Sequence, residues 1–162
     1  MTYLRVTGDG PHYETVFSLA PEAYAAWRVL AGTVRDGMDG RRYELVTVTA
    51  ARALGSAYCT LAHAAVLRER YFSAADVDAI LAGRHVASLD PADVAAMDFA
   101  ERIAVRPQAA TAADLERLRA AGLSEQDILQ VVLTVALRRF FAGVLDAVGA
   151  EPDPHLLGAP LR

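Results

Sequence analysis

Lysine is absent from this chain, and all sixteen basic residues are arginine. That excludes a lysine Schiff base, a lysine general base and the lysine of a phosphate-binding loop. Cysteine occurs once, at Cys59. A single thiol excludes an internal disulfide framework and a zinc knuckle, and it favours a reducing compartment. Positive charge is in deficit: the net charge is −4 and the pI is near 5.5. The basic footprint of a general nucleic-acid binder is therefore missing. The N-terminal stretch from Met1 to Pro11 has no apolar h-region and does not read as a secretory signal. No uninterrupted apolar run approaches the roughly 20 residues of a membrane span. The expectation is a cytoplasmic protein with neither nucleic acid nor membrane as a partner. His12, His63, His85 and His155 show no metal-ligand spacing, and neither metal nor cofactor is implied.

What the chain does have is material for a helical core. Its 162 residues are 54% hydrophobic and 22% charged, enough for one domain that buries about two-thirds of its unfolded surface. Much of the apolar content is alanine, the best helix former. Residues 1–19 mix Gly, Pro and β-branched residues without helical period and read as an irregular or short-strand arm. From Pro21, Tyr24, Trp27, Leu30, Ala31 and Val34 fall on one stripe of a helix that stops near Asp36-Gly37. A second helix is expected from about Gly40 to Leu54, with Gly55 as its left-handed stop. Its run Val46-Thr47-Val48-Thr49 has strand propensity, which opposes the assignment.

Four later segments share one start signal. Ser73, Asp90, Thr111 and Ser124 each precede an acid by three residues: Asp76, Asp93, Asp114 and Asp127. Such residues cap free N–H groups, and the acids complement the helix dipole. Leu123 and Ile128 flank the last start as a hydrophobic staple. Gly83 and Gly122 are natural stops, and the last helix is expected from Ser124 to about Val148. Its Ile128, Val131, Val132, Val135, Phe140, Val144 and Leu145 are available for core or interface. The chain thus reads as all-α, with about seven helices: an arm at 1–19, a helical domain at 20–150 and a loose tail at 151–162.

Chemistry concentrates around the lone thiol. Ser56 is a natural N-cap, which places Cys59 at the third helical position, where free N–H groups and the helix dipole favour a thiolate. His63 lies one turn on, on the same face. Glu44, on the preceding helix, has the right chemistry to orient His63 or to end a proton relay. Each residue also has an ordinary reading. A lone cysteine in an alanine-rich helix packs as a small hydrophobe, His63 fits a core histidine bonded to a carbonyl, and Glu44 fits a solvated acid beside Arg41 and Arg42.

The run Arg42-Tyr43-Glu44-Leu45-Val46, then Ala50 to Leu54, then Ser56-x-x-Cys59-x-x-x-His63 resembles the alkylhydroperoxidase D-like members of the carboxymuconolactone decarboxylase family. Their pattern is a glutamate on one helix and C-x-x-C-x-x-x-H at the start of the next. Glu44, Cys59 and His63 match the glutamate, second cysteine and histidine, and Tyr58 resembles a tyrosine of the peroxidase-related branch. Asp98-Phe99-Ala100, the stretch Leu118 to Ser124, and Phe140 to Asp146 are also similar to that branch, so the likeness spans about residues 20–150. The departure is Ser56, which stands where the family usually has its first, resolving cysteine.

The resemblance implies an alkylhydroperoxidase D-like fold and a homo-oligomer: trimer, hexamer or dimer. It implies that Cys59 attacks a peroxide, His63 manages the thiol proton and Glu44 polarises His63. Tyr58 is expected to donate to the departing oxygen and Ser56 to bond the Cys59 amide or sulfur. With a serine at 56, the sulfenate needs an external thiol reductant. Two other expectations stand beside it. One is an acid–base enzyme acting through Glu44 and His63 on a small carboxylate or lactone, with Cys59 dispensable. The other is an oligomeric relative with a degenerate site.

Overall fold

The computed structural model describes residues 2–157. Among these the chain forms nine α-helices: α1 (His12–Phe17), α2 (Pro21–Asp36), α3 (Gly40–Ala53), α4 (Ala57–Arg70), α5 (Ala74–Leu81), α6 (Pro91–Val105), α7 (Ala112–Ala120), α8 (Glu125–Ala147) and α9 (Pro154–Leu157). A single 3-10 turn, Pro107–Ala109, links α6 to α7. The seven expected helices are α2 to α8.

All four start signals are realised. Ser73, Asp90, Thr111 and Ser124 each accept a hydrogen bond from the backbone N–H three residues on. Thr111 with Asp114 and Ser124 with Asp127 close reciprocal capping boxes, satisfying two orphan donors at each helix start. Gly55, Gly83 and Gly122 have φ of +74°, +75° and +93°, the left-handed conformation that ends a helix at little cost for glycine.

The strand-like run on α3 is overridden by burial. Leu45, Val46, Thr47, Val48, Ala50 and Ala51 are almost wholly buried, because α3 is the central helix, packed against α4, α6 and α8. Helix propensity penalises each β-branched residue by at most ~0.7 kcal/mol. Full burial of each apolar side chain returns about 1.5–3 kcal/mol, so packing decides. Three core clusters surround α3. One joins it to α6, α7 and α8, one to α4, α5 and α6, and one to α1, α4 and α8 around Tyr58, Cys59 and Phe141.

Ion pairs on two buried carboxylates tie α3, α6 and α7 together. Asp93 of α6 is almost inaccessible and receives Arg41 and Arg42 of α3, the latter through Nε at 2.8 Å. Asp114 is held by Arg102 and Arg117. Hydrogen bonds from the Thr111 side chain and backbone lead in lowering its carboxyl to about 2. The helix α8 is long and apolar enough to cross a membrane by length and composition, yet half of that stretch is buried against the other helices.

Two expectations at the chain ends are corrected. The arm is not irregular throughout, because residues 12–17 form α1, whose Val16 and Phe17 pack on Phe141 and Leu145. Nor is the described part of the tail loose. After α8 stops at Gly149, the Ala150 N–H bonds back to the Leu145 carbonyl at 2.9 Å. Asp153, 5% exposed, accepts hydrogen bonds from the Tyr58 hydroxyl and, at 2.9 Å, from the His12 backbone N–H. A buried carboxylate needs such donors, and Asp153 finds them on α4 and α1. The remainder of the expected tail, 158–162, lies outside the described residues.

Candidate active site

The site is built where the start of α4 meets α3 and α8. Ala57, Tyr58 and Cys59 are the first three residues of α4, so Cys59 occupies the third helical position, as its spacing from Ser56 implies. Ser56 caps the helix by position only, since its side chain makes no capping bond. It is fully buried, and its hydroxyl donates to Asp146 Oδ1 of α8 at 3.0 Å. The expected bond from Ser56 to the Cys59 amide or sulfur is therefore replaced by an anchor between α4 and α8.

Glu44 and His63 are brought together. Their Oε2 and Nδ1 atoms lie 2.6 Å apart, at side-chain exposures of 12% and 18%. Glu44 is not a solvated partner of Arg41 and Arg42, because those guanidinium groups are committed to Asp93. A carboxylate at Nδ1 fixes the ring with its proton on that nitrogen, leaving Nε2 as the acceptor. Burial lowers the His63 pKa below its ordinary value, and the Arg138 charge lowers it further; the Glu44 bond opposes both. The lowered pKa favours the neutral imidazole, the form able to take a proton.

Cys59 is 1% exposed and lines a cavity of about 440 Å³ together with Glu44, His63 and Arg138. Arg138 was missed by sequence reasoning. Its Nη1 donates to Cys59 Sγ at 3.2 Å. The residue is 4% exposed, its guanidinium lies 5.6 Å from the Phe141 ring centroid, and its Nε has no hydrogen-bond partner. Among the described residues no carboxylate forms an ion pair with it. A buried guanidinium is costly unless acceptors satisfy it, and Cys59 Sγ is the acceptor placed against this one. Arg138 sits on α8, 79 residues from Cys59. The sole hint in the sequence is that Arg138 and Arg139 are the only charged residues between Asp127 and Asp146 of α8.

Tyr58 is placed differently from its expected role. Its hydroxyl donates to Asp153, and burial together with that carboxylate raises its pKa. A phenol so held is a poor donor to a leaving oxygen. It pins the C-terminal segment instead, while its ring meets Tyr13 edge-on at 6.1 Å. The aromatic wall of the cavity continues through Phe141 stacked on Trp27 at 4.4 Å and Trp27 on Tyr24 at 6.0 Å.

Comparison with solved structures finds the same architecture. The chain is similar to an alkylhydroperoxidase AhpD core, an uncharacterized peroxidase-related protein from Ralstonia eutropha JMP134, with TM-score 0.81 and 21% identity over 90% of this chain and 78% of that one. An uncharacterized peroxidase-related protein from Silicibacter sp. TM1040 gives TM-score 0.82 and 20% identity, covering 94% and 81%. The debrominase Bmp8, solved as a complex with 2,3,4-tribromopyrrole, gives 0.80 and 15%, covering 91% and 79%. At these identities the likeness is one of fold. A search of curated proteins finds no match. The family model for carboxymuconolactone decarboxylases matches residues 21–102, from α2 through most of α6 and including Glu44, Cys59 and His63. The chain has an all-α, alkylhydroperoxidase D-like fold and belongs to the carboxymuconolactone decarboxylase family.

Proposed function

We propose that this protein is a thiol-dependent hydroperoxidase with Cys59 as its attacking group. The observation that carries the reading is the buried Arg138 guanidinium donating to Cys59 Sγ in the cavity that also holds the Glu44–His63 pair. His63 Nε2 takes the thiol proton, and Glu44 stabilises the imidazolium that forms. Arg138 supports negative charge on sulfur. The thiolate attacks one peroxide oxygen, the O–O bond breaks as the S–O bond forms, and His63 returns the proton to the departing alkoxide. The products are the Cys59 sulfenic acid and an alcohol. Ser56 cannot form a disulfide, so two equivalents of an external monothiol reduce the sulfenic acid, giving the Cys59 thiol, a disulfide and water.

A second reading keeps Glu44 and His63 as acid–base groups acting on a small carboxylate or lactone. It is favoured by the 2.6 Å pair and the near-complete burial of Cys59. Peroxide consumption with an added monothiol separates the two. The peroxidase reading expects turnover in the wild type, loss of at least 100-fold in Cys59→Ser, and a fall of about 10²-fold or more in His63→Ala. Lactone or decarboxylase turnover that survives Cys59→Ser but not His63→Ala would establish the second reading. Absence of both activities would mark a degenerate site.

We also place the protein in the cytoplasm, on the grounds of its single reduced cysteine, and as a homo-oligomer. The surface between α2 and α8 supports assembly: Leu30 and Phe140 are 51% and 47% exposed. They border an almost wholly apolar groove of about 390 Å³ that a second copy of the chain would cover.

A further inference from the structure

The cavity that holds Cys59 carries three guanidinium groups, Arg28, Arg35 and Arg138, and a single carboxylate, Glu44, already engaged by His63. Arg28 and Arg35 are seven residues apart on α2. Two helical turns put them on one face, roughly 10.5 Å apart along the axis. Both lie at the exposed edge of the cavity while Arg138 is buried in its wall. Between them α2 presents Ala31 and Gly32 to the cavity. An added Cβ at Gly32 would meet nothing within 4 Å, so this stretch is a low point in the rim. Neither rim arginine is strongly committed. Arg28 lies over the Tyr24 ring at 5.8 Å, and among the described residues Arg35 forms an ion pair only with its neighbour Asp36, both being well exposed. Such exposed pairs are weak. The tyrosines of the wall add no negative charge: burial leads in pushing Tyr13 up to about 12, and burial raises Tyr43.

We propose that the substrate of this site is an organic anion: an aryl or comparably flat apolar body with a carboxylate that docks on Arg28 and Arg35. The reactive end then lies toward Cys59 and Arg138, and the body against the ring wall of Tyr24, Trp27 and Phe141. A positively charged rim over apolar walls both steers an anion inward and orients it, since guanidinium groups bind carboxylates bidentately. The identity of the reactive end as a hydroperoxide rests on the peroxidase reading, whereas the preference for an anion does not. In that reading the substrate is a carboxylated aryl hydroperoxide, reduced to the corresponding alcohol at Cys59 with an external monothiol as reductant.

Trp27 is the only tryptophan in the chain and belongs to the cavity wall, so its fluorescence reports binding without any turnover. The test titrates 4-isopropylbenzoate and the uncharged 4-isopropylbenzamide into wild-type, Arg28→Gln/Arg35→Gln and Cys59→Ser proteins. The expected result is a preference of about tenfold or more for the carboxylate in wild type, weakening with salt. That preference is kept in Cys59→Ser and reduced to within about twofold of unity in the double variant. Equal affinity for the two probes in wild type would overturn the proposal, as would a preference that survives loss of both arginines, or no binding of either at millimolar concentration. Because no peroxide is involved, the anion preference stands or falls separately from the peroxidase reading.

Discussion

His63 shows how a single side chain couples stability to the site. Its folded pKa is lowered, by burial first and by Arg138 next, while the unfolded chain titrates near the ordinary value of about 6.5. Between the two values the unfolded state binds more protons, so stability rises with pH. Protonation of the unfolded chain draws on stability progressively as pH falls below about 6.5, until the folded value is passed. Urea denaturation at a series of pH values is expected to show this rise in the wild type and lose it in His63→Gln, whose amide can still donate to Glu44. A pH dependence identical in the two proteins would mean that His63 is not held neutral. Glu44 and His63 were legible as a pair because both fall on predicted helices and the family pattern joins them. Arg138 was not, since a distant helix delivers it to Cys59 and the Arg138-Arg139 pair does not tell which of the two is buried. Ser56 and Tyr58 were found as residues but misread in role, because their partners, Asp146 and Asp153, come from the C-terminal end.

At the scale of elements, capping chemistry located helices where periodicity alone was equivocal. The four starts at Ser73, Asp90, Thr111 and Ser124 are local side-chain-to-backbone bonds, so a few residues suffice to read them. The ends of the chain were harder. Helix α1 has six residues and no side-chain cap; it persists through packing on α8, which no local signal encodes. The segment after α8 is held by Asp153, whose donors lie on α4 and α1. Tyr58→Phe removes one of them and leaves a buried carboxylate short of a donor. The expected loss is about 1–3 kcal/mol, or a Tm lower by roughly 3–10 °C. Calorimetry checks it, and an unchanged Tm would show that Asp153 does not need Tyr58 to fasten the C-terminal segment.

For the whole molecule, α8 links core, site and surface. One face closes the core against α3 and α6, one residue reaches Cys59, and another part joins α2 in an exposed apolar strip. If a second copy covers that strip, light scattering will give a mass that is a multiple of 17.3 kDa. Leu30→Glu/Phe140→Glu will then shift the protein toward monomer; a wild-type monomer at micromolar concentration would contradict the assignment. The catalytic reading is tested most directly by a single turnover. Reduced protein is mixed with one equivalent of cumene hydroperoxide and a dimedone trap, and the mass of the peptide containing Cys59 is followed in time. A trapped sulfenic acid at Cys59 is expected in the wild type, formed at least tenfold more slowly in Arg138→Met. A Cys59 that stays reduced while peroxide persists, or that oxidises equally fast without Arg138, would contradict it.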